Sequence, residues 1–563
     1  MNTDGSDAKK ISDVEKGISE FEFSPKGDKI LFTGSVKSAT KPTDLYPDLE
    51  KATGRVIDGL MYRHWDQFVE EIPHPFIADF STESIANIVD LLDGEPYECP
   101  TLPFGGIDQL SWSPDETKIA YSSRKKTGVE YALSTNTDIY IYDIASKESK
   151  NITEGMVGYD PSPLFSPDGK SIAWISMERD GYEADKQRLF VMDMESGVKK
   201  ELTTNYKYNV EEITWIPDNS GLYFTSCVNA LKDVYKINLA DNSITQLTKG
   251  MFDFDGVKIA ADKLITTYKS MSMPNELVSI NSADGIFTQI SFENKNLLDK
   301  IKMGRIEQRW IATTDTKQMH MWVVYPPDFD STKKYPALLF CMGGPQGTLS
   351  QNWSYRWNPE LMAAHGYIVI LPNRRGTSAF GQEWCEQISG DYIGQNMKDY
   401  FSAVDEMQKE PYVGKIGAVG ASYGGYSVYY LAGIHKGRFS AFVAHAGIFD
   451  QEHMYMSTEE LWFPNFDNGG APWDNNPVAN RHYANSPHKL VKNWNTPILI
   501  TAGEMDFRVP YDQAMAAFTA AQVLKVPSKL VLFPDENHWI LKPQNSILWN
   551  RIYFDWLDKY LKN

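Results

Sequence analysis

Two short phrases recur through the first half of the chain, and together they leave it few ways to fold. One is an apolar strand, a turn of Ser/Ile-Pro-Asp/Lys type and a second apolar strand. It reads FEFSPKGDKILFTG, LSWSPDETKIAYSS, PLFSPDGKSIAWIS and ITWIPDNSGLYFTS. The other alternates apolar and polar residues, turns, and ends in a short polar strand near Leu-Thr. It reads IYIYDIASKESKNIT, LFVMDMESGVKKELT, VYKINLADNSITQLT and LVSINSADGIFTQIS. Alternation with period two, broken at Pro, Asp and Gly, predicts half-buried antiparallel strands. The phrases interleave at a period of about 45–50 residues, the length of a four-stranded propeller blade. A blade cannot bury its own faces, so such units must stack on one another.

Five complete repeats fit between Ile18 and Ser291. The opening residues, MNTDGSDAKKIS, resemble the tail of a further repeat: set beside VMDMESGVKKELT, Met1 aligns with Met192. Propellers usually carry six or seven comparable blades, so the expectation is an N-terminally shortened propeller. The repeat from Ile18 to Cys99 is overlong. Its extra segment, TDLYPDLEKATGRVIDGLMYRHWDQFVEEIPHP, reads as an insertion with some helical character, of the kind that often serves binding.

After Phe292 the pattern changes. Near-continuous apolar strands (PALLFC, GYIVILP, IGAVGAS, FVAHAG, PILITAGE, KLVLFPD) alternate with helical stretches, which predicts a mostly parallel sheet covered on both faces. The expected fold is therefore an N-terminal β-propeller, residues 1–291, and a C-terminal α/β-hydrolase domain, residues 292–563.

Within the second domain, Gly420-Ala421-Ser422-Tyr423-Gly424 is a G-x-S-x-G motif. It follows the strand IGAVG and opens the helix YSVYYLAGI. Strand, turn and helix are the setting of a nucleophile elbow, which exposes the serine hydroxyl beside a helix N-terminus. Serine needs a base, and in this fold the chain order is Ser, then acid, then His. Of the ten histidines only His538, after the strand KLVLF, follows the candidate acids. Asp506, after PILITAG, is preferred as the acid over Glu504. The oxyanion hole is expected from the Tyr423 N–H and one from the loop CMGGPQG, at Gly343 or Gly344, with Gly344 preferred. His445, at a strand end, reads as structural rather than as a second base.

Bulk properties narrow the classes. A formal net charge of -19 argues against a nucleic-acid partner. No run is long enough to span a bilayer, and the first residues lack the apolar stretch of a signal peptide. Taken literally this indicates cytoplasm, whereas a longer form of the protein would suit the periplasm or secretion. Cys99, Cys227, Cys341 and Cys385 have no CxxC spacing, so a zinc or redox site is not expected, although one bridge is compatible with them. No metal or cofactor is called for.

Propeller first and hydrolase second, with GASYGG, MGGPQG, NRRGTSAFG, GEMDFRVP and NHW, resembles the prolyl oligopeptidase family of serine peptidases along essentially the whole chain. The GGP loop resembles the dipeptidyl-peptidase V branch most, then the acylaminoacyl peptidases. Met342 departs from the latter, which usually carry histidine there. The resemblance implies an oligopeptide substrate, a propeller that restricts access, an acyl-enzyme on Ser422 and a homodimer through the hydrolase domain. It makes a dipeptidyl peptidase with hydrophobic or Ala P1 the leading expectation. Acylaminoacyl peptidase comes next and carboxylesterase third; the contrasting class is a catalytically impaired binding protein. A dipeptidyl peptidase must hold a free α-amine, for which Glu70 and Glu71 are candidates, although such a pair reads first as a solvated charged face. Glu211 and Glu212 form a second such pair. Arg508 resembles family positions that bind the carbonyl before P1. Tyr426, Val509 and Ile448–Met456 are expected to form an apolar S1 pocket, with Tyr426 and Val509 open to a plain core role.

Overall fold

The computed structural model describes residues 4–261 and 263–563, so the alignment of Met1 with Met192 lies outside the described residues. By their contacts these residues form two compact units. The first runs to His64 and takes in Phe68–Thr204 and Trp215–Gly221; the second comprises Trp65–Gln67, Asn205–Thr214 and Leu222–Asn563.

Each recurring sequence unit forms one antiparallel sheet, and there are five such sheets among the described residues before the hydrolase sheet begins. The two phrases explain how a sheet closes on itself. In the first, the turn serine accepts the N–H five residues on and donates to the aspartate two residues on. Ser113 does so with Lys118 and Asp115, and Ser166 with Ser171 and Asp168. In the second, the hydroxyl of the closing Thr or Ser accepts an N–H of the third strand and donates to the carboxylate of the residue before it. Thr153 clasps Ile139 and Asp138, Thr248 clasps Val234 and Asp233, and Ser291 clasps Leu277 and Glu276. For Thr153 with Ile139 and Thr248 with Val234 the clasp pairs a buried hydroxyl with a buried N–H, whereas Leu277 is exposed. Within the first unit the sheets pack face to face: Leu31 and Ile77 meet Trp112, Ile119 and Tyr121, and Ile139 and Ile141 meet Ile172 and Trp174.

The insertion departs from expectation. Its helical character is confined to Pro42–Leu45, succeeded by loop and a two-stranded hairpin, Arg63–His64 with Gln67–Phe68. A helix this short gains little from propagation, and Gly54 and Gly59 interrupt the residues between it and the hairpin. The four cysteines are unbridged.

The second half builds an eight-stranded sheet: β1 (Ile306–Ala312), β2 (Gln318–Val324), β3 (Tyr335–Cys341), β4 (Ile368–Pro372), β5 (Val413–Ala421), β6 (Ala441–His445), β7 (Ile498–Gly503) and β8 (Ser528–Phe533). Their order is β1-β2-β4-β3-β5-β6-β7-β8, parallel from β4 onward. The apolar runs of β3 to β7 are buried on both faces, and the edge strand β8 is half-buried. Ala337 and Leu339 belong to the core under the helices Gln395–Met407, Tyr423–Ile434 and Asp512–Val523, whereas Leu338 and Phe340 belong to the core under Pro543–Leu561. Among the described residues no helix is long and apolar enough to cross a membrane.

Candidate active site

The site lies where β5, β7 and β8 end at their C-terminal edge, the usual place for function in an open parallel sheet. Ser422 stands between β5 and the helix Tyr423–Ile434 with φ 59° and ψ −124°. A non-glycine residue at positive φ is strained, and here the sheet and helix hold it so. Its N–H donates to the His445 carbonyl at 3.0 Å. Gly424 is required because an added Cβ would lie 2.1 Å from the Cys341 carbonyl oxygen of β3.

Asp506 follows β7 and His538 follows β8. His538 Nδ1 lies 2.6 Å from Asp506 Oδ2, with the carboxylate fully buried and the imidazole nearly so. The other oxygen, Asp506 Oδ1, accepts the N–H groups of Arg508 at 3.1 Å and Val509 at 2.9 Å. Because Oδ2 is left to the imidazole, the ring presents Nδ1–H to the acid and keeps Nε2 as its basic atom. Backbone bonds staple the two loops together: Glu504 N–H to Phe533 O at 2.9 Å and Met505 N–H to Glu536 O at 3.0 Å.

His445 is buried between nucleophile and base. Besides taking the Ser422 N–H on its carbonyl, its Nε2 lies 3.3 Å from the His538 carbonyl and its Nδ1 2.7 Å from Thr501 Oγ1. A carbonyl only accepts, so Nε2 carries the proton. Thr501 Oγ1 in turn receives the Trp549 indole N–H at 3.1 Å. Burial, with the neighbouring His538, pushes the His445 imidazole down to about 3, so it is neutral at any working pH.

The glycine loop after β3 crosses the elbow closely: a Cβ at Gly343 would meet Ala421 O at 2.8 Å and Ser422 Cβ at 3.4 Å. Gly344 is exposed and has φ +115°. Tyr423, whose N–H begins the helix, is buried and stacks on Tyr426 at 5.3 Å. The motif NRRGTSAFG supports this loop. Buried Arg374 donates to the carbonyls of Met342 at 3.2 Å and Pro345 at 2.9 Å, and its guanidinium lies 5.0 Å from the Tyr423 ring centre. Arg375 pairs with buried Asp399 at 2.9 Å.

The remaining expected residues divide. Tyr426 is wholly buried against Tyr423, Tyr430 and Tyr392, and Val509 is buried with its N–H on the acid. Ile448, Met454 and Tyr455 are buried, whereas Met456 is exposed. Arg508 donates Nε to Glu459 at 3.0 Å and its Nη2 lies 2.9 Å from Glu460. Glu70 and Glu71 lie in the first unit, ion-paired to Lys41 at 3.5 Å and Lys16 at 2.6 Å. Glu211 and Glu212 share Lys232 at 3.1 and 2.8 Å. Sequence reading missed His445 as a bridge, Arg374 as a loop support, Glu459 and Glu460, and the turn Trp65–Asp66. The overlong first repeat and the Asn and Trp on either side of His538 were the available signals.

A family model described as TolB beta propeller domain matches residues 109–296, and one described as Prolyl oligopeptidase family matches residues 353–563. Over 549 residues the chain is 55% identical to "Dipeptidyl-peptidase 5" of Porphyromonas gingivalis, a match covering 97% of this chain and 80% of that protein. The chain belongs to the prolyl oligopeptidase family. It is thus a serine peptidase with a β-propeller and an α/β-hydrolase domain, as the sequence motifs predicted. "Dipeptidyl-peptidase 5" of Porphyromonas endodontalis is 49% identical over 99% of this chain and 81% of its own length. Among solved structures, the uncomplexed acylaminoacyl peptidase of Pyrococcus horikoshii superposes with TM-score 0.81 at 20% identity, over 100% of this chain and 85% of that one. At that identity it speaks for the fold alone.

Proposed function

We propose that this family member releases dipeptides from the free N-terminus of oligopeptides, with Ser422, His538 and Asp506 as catalytic residues. The observation that carries the reading is the buried 2.6 Å pair of Asp506 and His538 on adjacent loops of a sheet whose elbow bears Ser422. The names of the relatives at 55% and 49% identity support the dipeptide product. Ser422 Oγ attacks the scissile carbonyl as its proton passes to His538 Nε2, and Asp506 stabilises the imidazolium. The oxyanion is met by the Tyr423 N–H and one from Gly344. The leaving amine takes the proton from His538. Water then attacks the acyl-enzyme, giving its proton to His538, and Ser422 recovers its own as the dipeptide leaves.

Apolar S1 walls at Tyr426 and Val509 suit a hydrophobic or Ala P1, and Arg508 is assigned to the carbonyl before P1. Glu70 and Glu71 are the carboxylates to test for the amine; their lysine partners would have to give way first. The domain boundary is drawn between residues 291 and 292, ahead of β1, and a homodimer is expected by light scattering.

Two matched chromogenic dipeptides, one with a free amino end and one N-acetylated, test the reading against the Ser422→Ala variant. Cleavage of the free substrate, lost in the variant, is the expected result. Preference for the acetylated one moves the protein to acylaminoacyl peptidase. No cleavage of either contradicts the reading. If Glu70 or Glu71 anchors the amine, its Gln variant raises KM for the free substrate alone.

A further inference from the structure

Trp65, Asp66 and Gln67 group with the second unit, and the first two touch both loops that carry the Asp506–His538 pair. On the acid loop, the N–H of Phe507 donates to the Trp65 carbonyl at 3.1 Å. The guanidinium of Arg508 lies 4.9 Å from the centre of the Trp65 ring. On the histidine loop, Asn537 Nδ2 donates to Asp66 Oδ2 at 2.7 Å, while Asn537 Oδ1 accepts the Trp539 N–H at 2.8 Å. The Trp65 ring meets the imidazole of His538 edge to face at 5.8 Å and the ring of Trp539 at 4.6 Å. One turn therefore contacts the residue after the acid, the residue after that, the base itself and both neighbours of the base.

The backbone adds an independent sign. Trp65 has φ +57°, in the left-handed region that a bulky side chain occupies only at a cost and glycine occupies freely. The ring is half-buried, so it is not held there as a fully buried core side chain. A strained, partly exposed tryptophan lying against an imidazole points to a use for the ring.

We propose that Trp65 and Asp66 are positioning residues of the Asp506–His538 pair: Asp66 fixes the histidine loop through Asn537, and the Trp65 ring restrains the imidazole in the orientation that receives the Ser422 proton. The proposal rests on the peptidase reading above and deepens it. An insertion in a propeller repeat then supplies catalytic geometry in its own right, separately from the test of its carboxylates as an amine anchor. Its effect falls on proton transfer, so it is felt by any acylating agent, with or without a peptide.

The full chain and its Trp65→Gly, Trp65→Phe, Asp66→Ala and Asp66→Asn variants test it by three readouts. These are the rate at which a small fluorophosphonate labels Ser422, kcat and KM on the free-amine dipeptide, and thermal unfolding. Trp65→Gly is expected to slow labelling and kcat by about tenfold or more while KM moves less than about threefold. Glycine takes the same φ without strain, so a fall in unfolding temperature reports the lost ring contacts and is read apart from the rate. Trp65→Phe should recover most of the rate. Asp66→Ala should slow labelling, and Asp66→Asn should restore it, because the amide oxygen still accepts from Asn537. Wild-type labelling and turnover in Trp65→Gly, or a rise in KM alone, would overturn the proposal. Absence of Ser422 labelling in the unaltered chain would instead overturn the peptidase reading beneath it.

Discussion

The repeats and the candidate active site are held together on different length scales. In the repeats, each clasp joins residues 15 apart: Thr153 with Asp138, Thr248 with Asp233, and Ser291 with Glu276. At the site the separations are 32 for His538 with Asp506, 93 for His445 with His538, and 471 for Asn537 with Asp66. Short closures cost little chain entropy and recur wherever the phrase recurs; long ones require the whole fold first. A change in a clasp should therefore cost stability and spare chemistry, whereas a change at the site should do the reverse.

The largest effect is expected from Asp506→Asn. It keeps the shape but presents the imidazole with a donor as well as an acceptor, so kcat should fall by about 10³–10⁴ with unfolding little changed. Steady-state kinetics beside a thermal melt reads both, and a comparable loss of stability would break the contrast. Asp160 is the counterpart in the repeats. It is wholly buried, and burial pushes its carboxyl up to about 7. The native state holds that proton more tightly than the unfolded chain. Stability from this group is full below about pH 4 and is lost as pH rises through 7. Asp160→Asn should therefore match the parent near pH 4 and exceed it at pH 8, by up to about 4 kcal/mol. Urea unfolding of both proteins at the two pH values decides it, and an equal pH dependence would contradict the account.

His445→Leu comes next. Removing the donor to the His538 carbonyl frees the base by a fraction of an ångström, for which a loss in kcat of up to about 10²-fold is expected, with KM nearly unchanged. A change confined to KM would remove His445 from the positioning role. Thr248→Val is the smallest. It breaks one clasp and leaves Asp233 short of a donor, costing about 1–3 kcal/mol of stability while kcat per folded molecule stays the same.

The same contrast governs what the sequence made legible. The sheets could be read because Ser113, Ser166, Thr153 and Thr248 find their partners within one phrase. Ser422, Asp506 and His538 could be singled out because each follows a strand in a fixed chain order, which is a local signal repeated three times. Trp65 and Asp66 were harder to single out, because the contacts that give them a role reach the two site loops far along the chain, at Phe507, Arg508, Asn537, His538 and Trp539. The insertion drew attention to Glu70 and Glu71, whose charge is conspicuous in a sequence, while the structure gives those carboxylates to Lys41 and Lys16. The helical character of the insertion stops at Pro42–Leu45 for a related reason. Farther along, Tyr62 precedes a hairpin and Phe68 lies in its second strand.

The most direct test of the account is peptide mapping by mass spectrometry after reaction with one equivalent of fluorophosphonate. A single adduct on the peptide bearing Ser422, lost in Ser422→Ala and slowed in Asp506→Asn, is the predicted result. An adduct on another residue, or none at all, would contradict it.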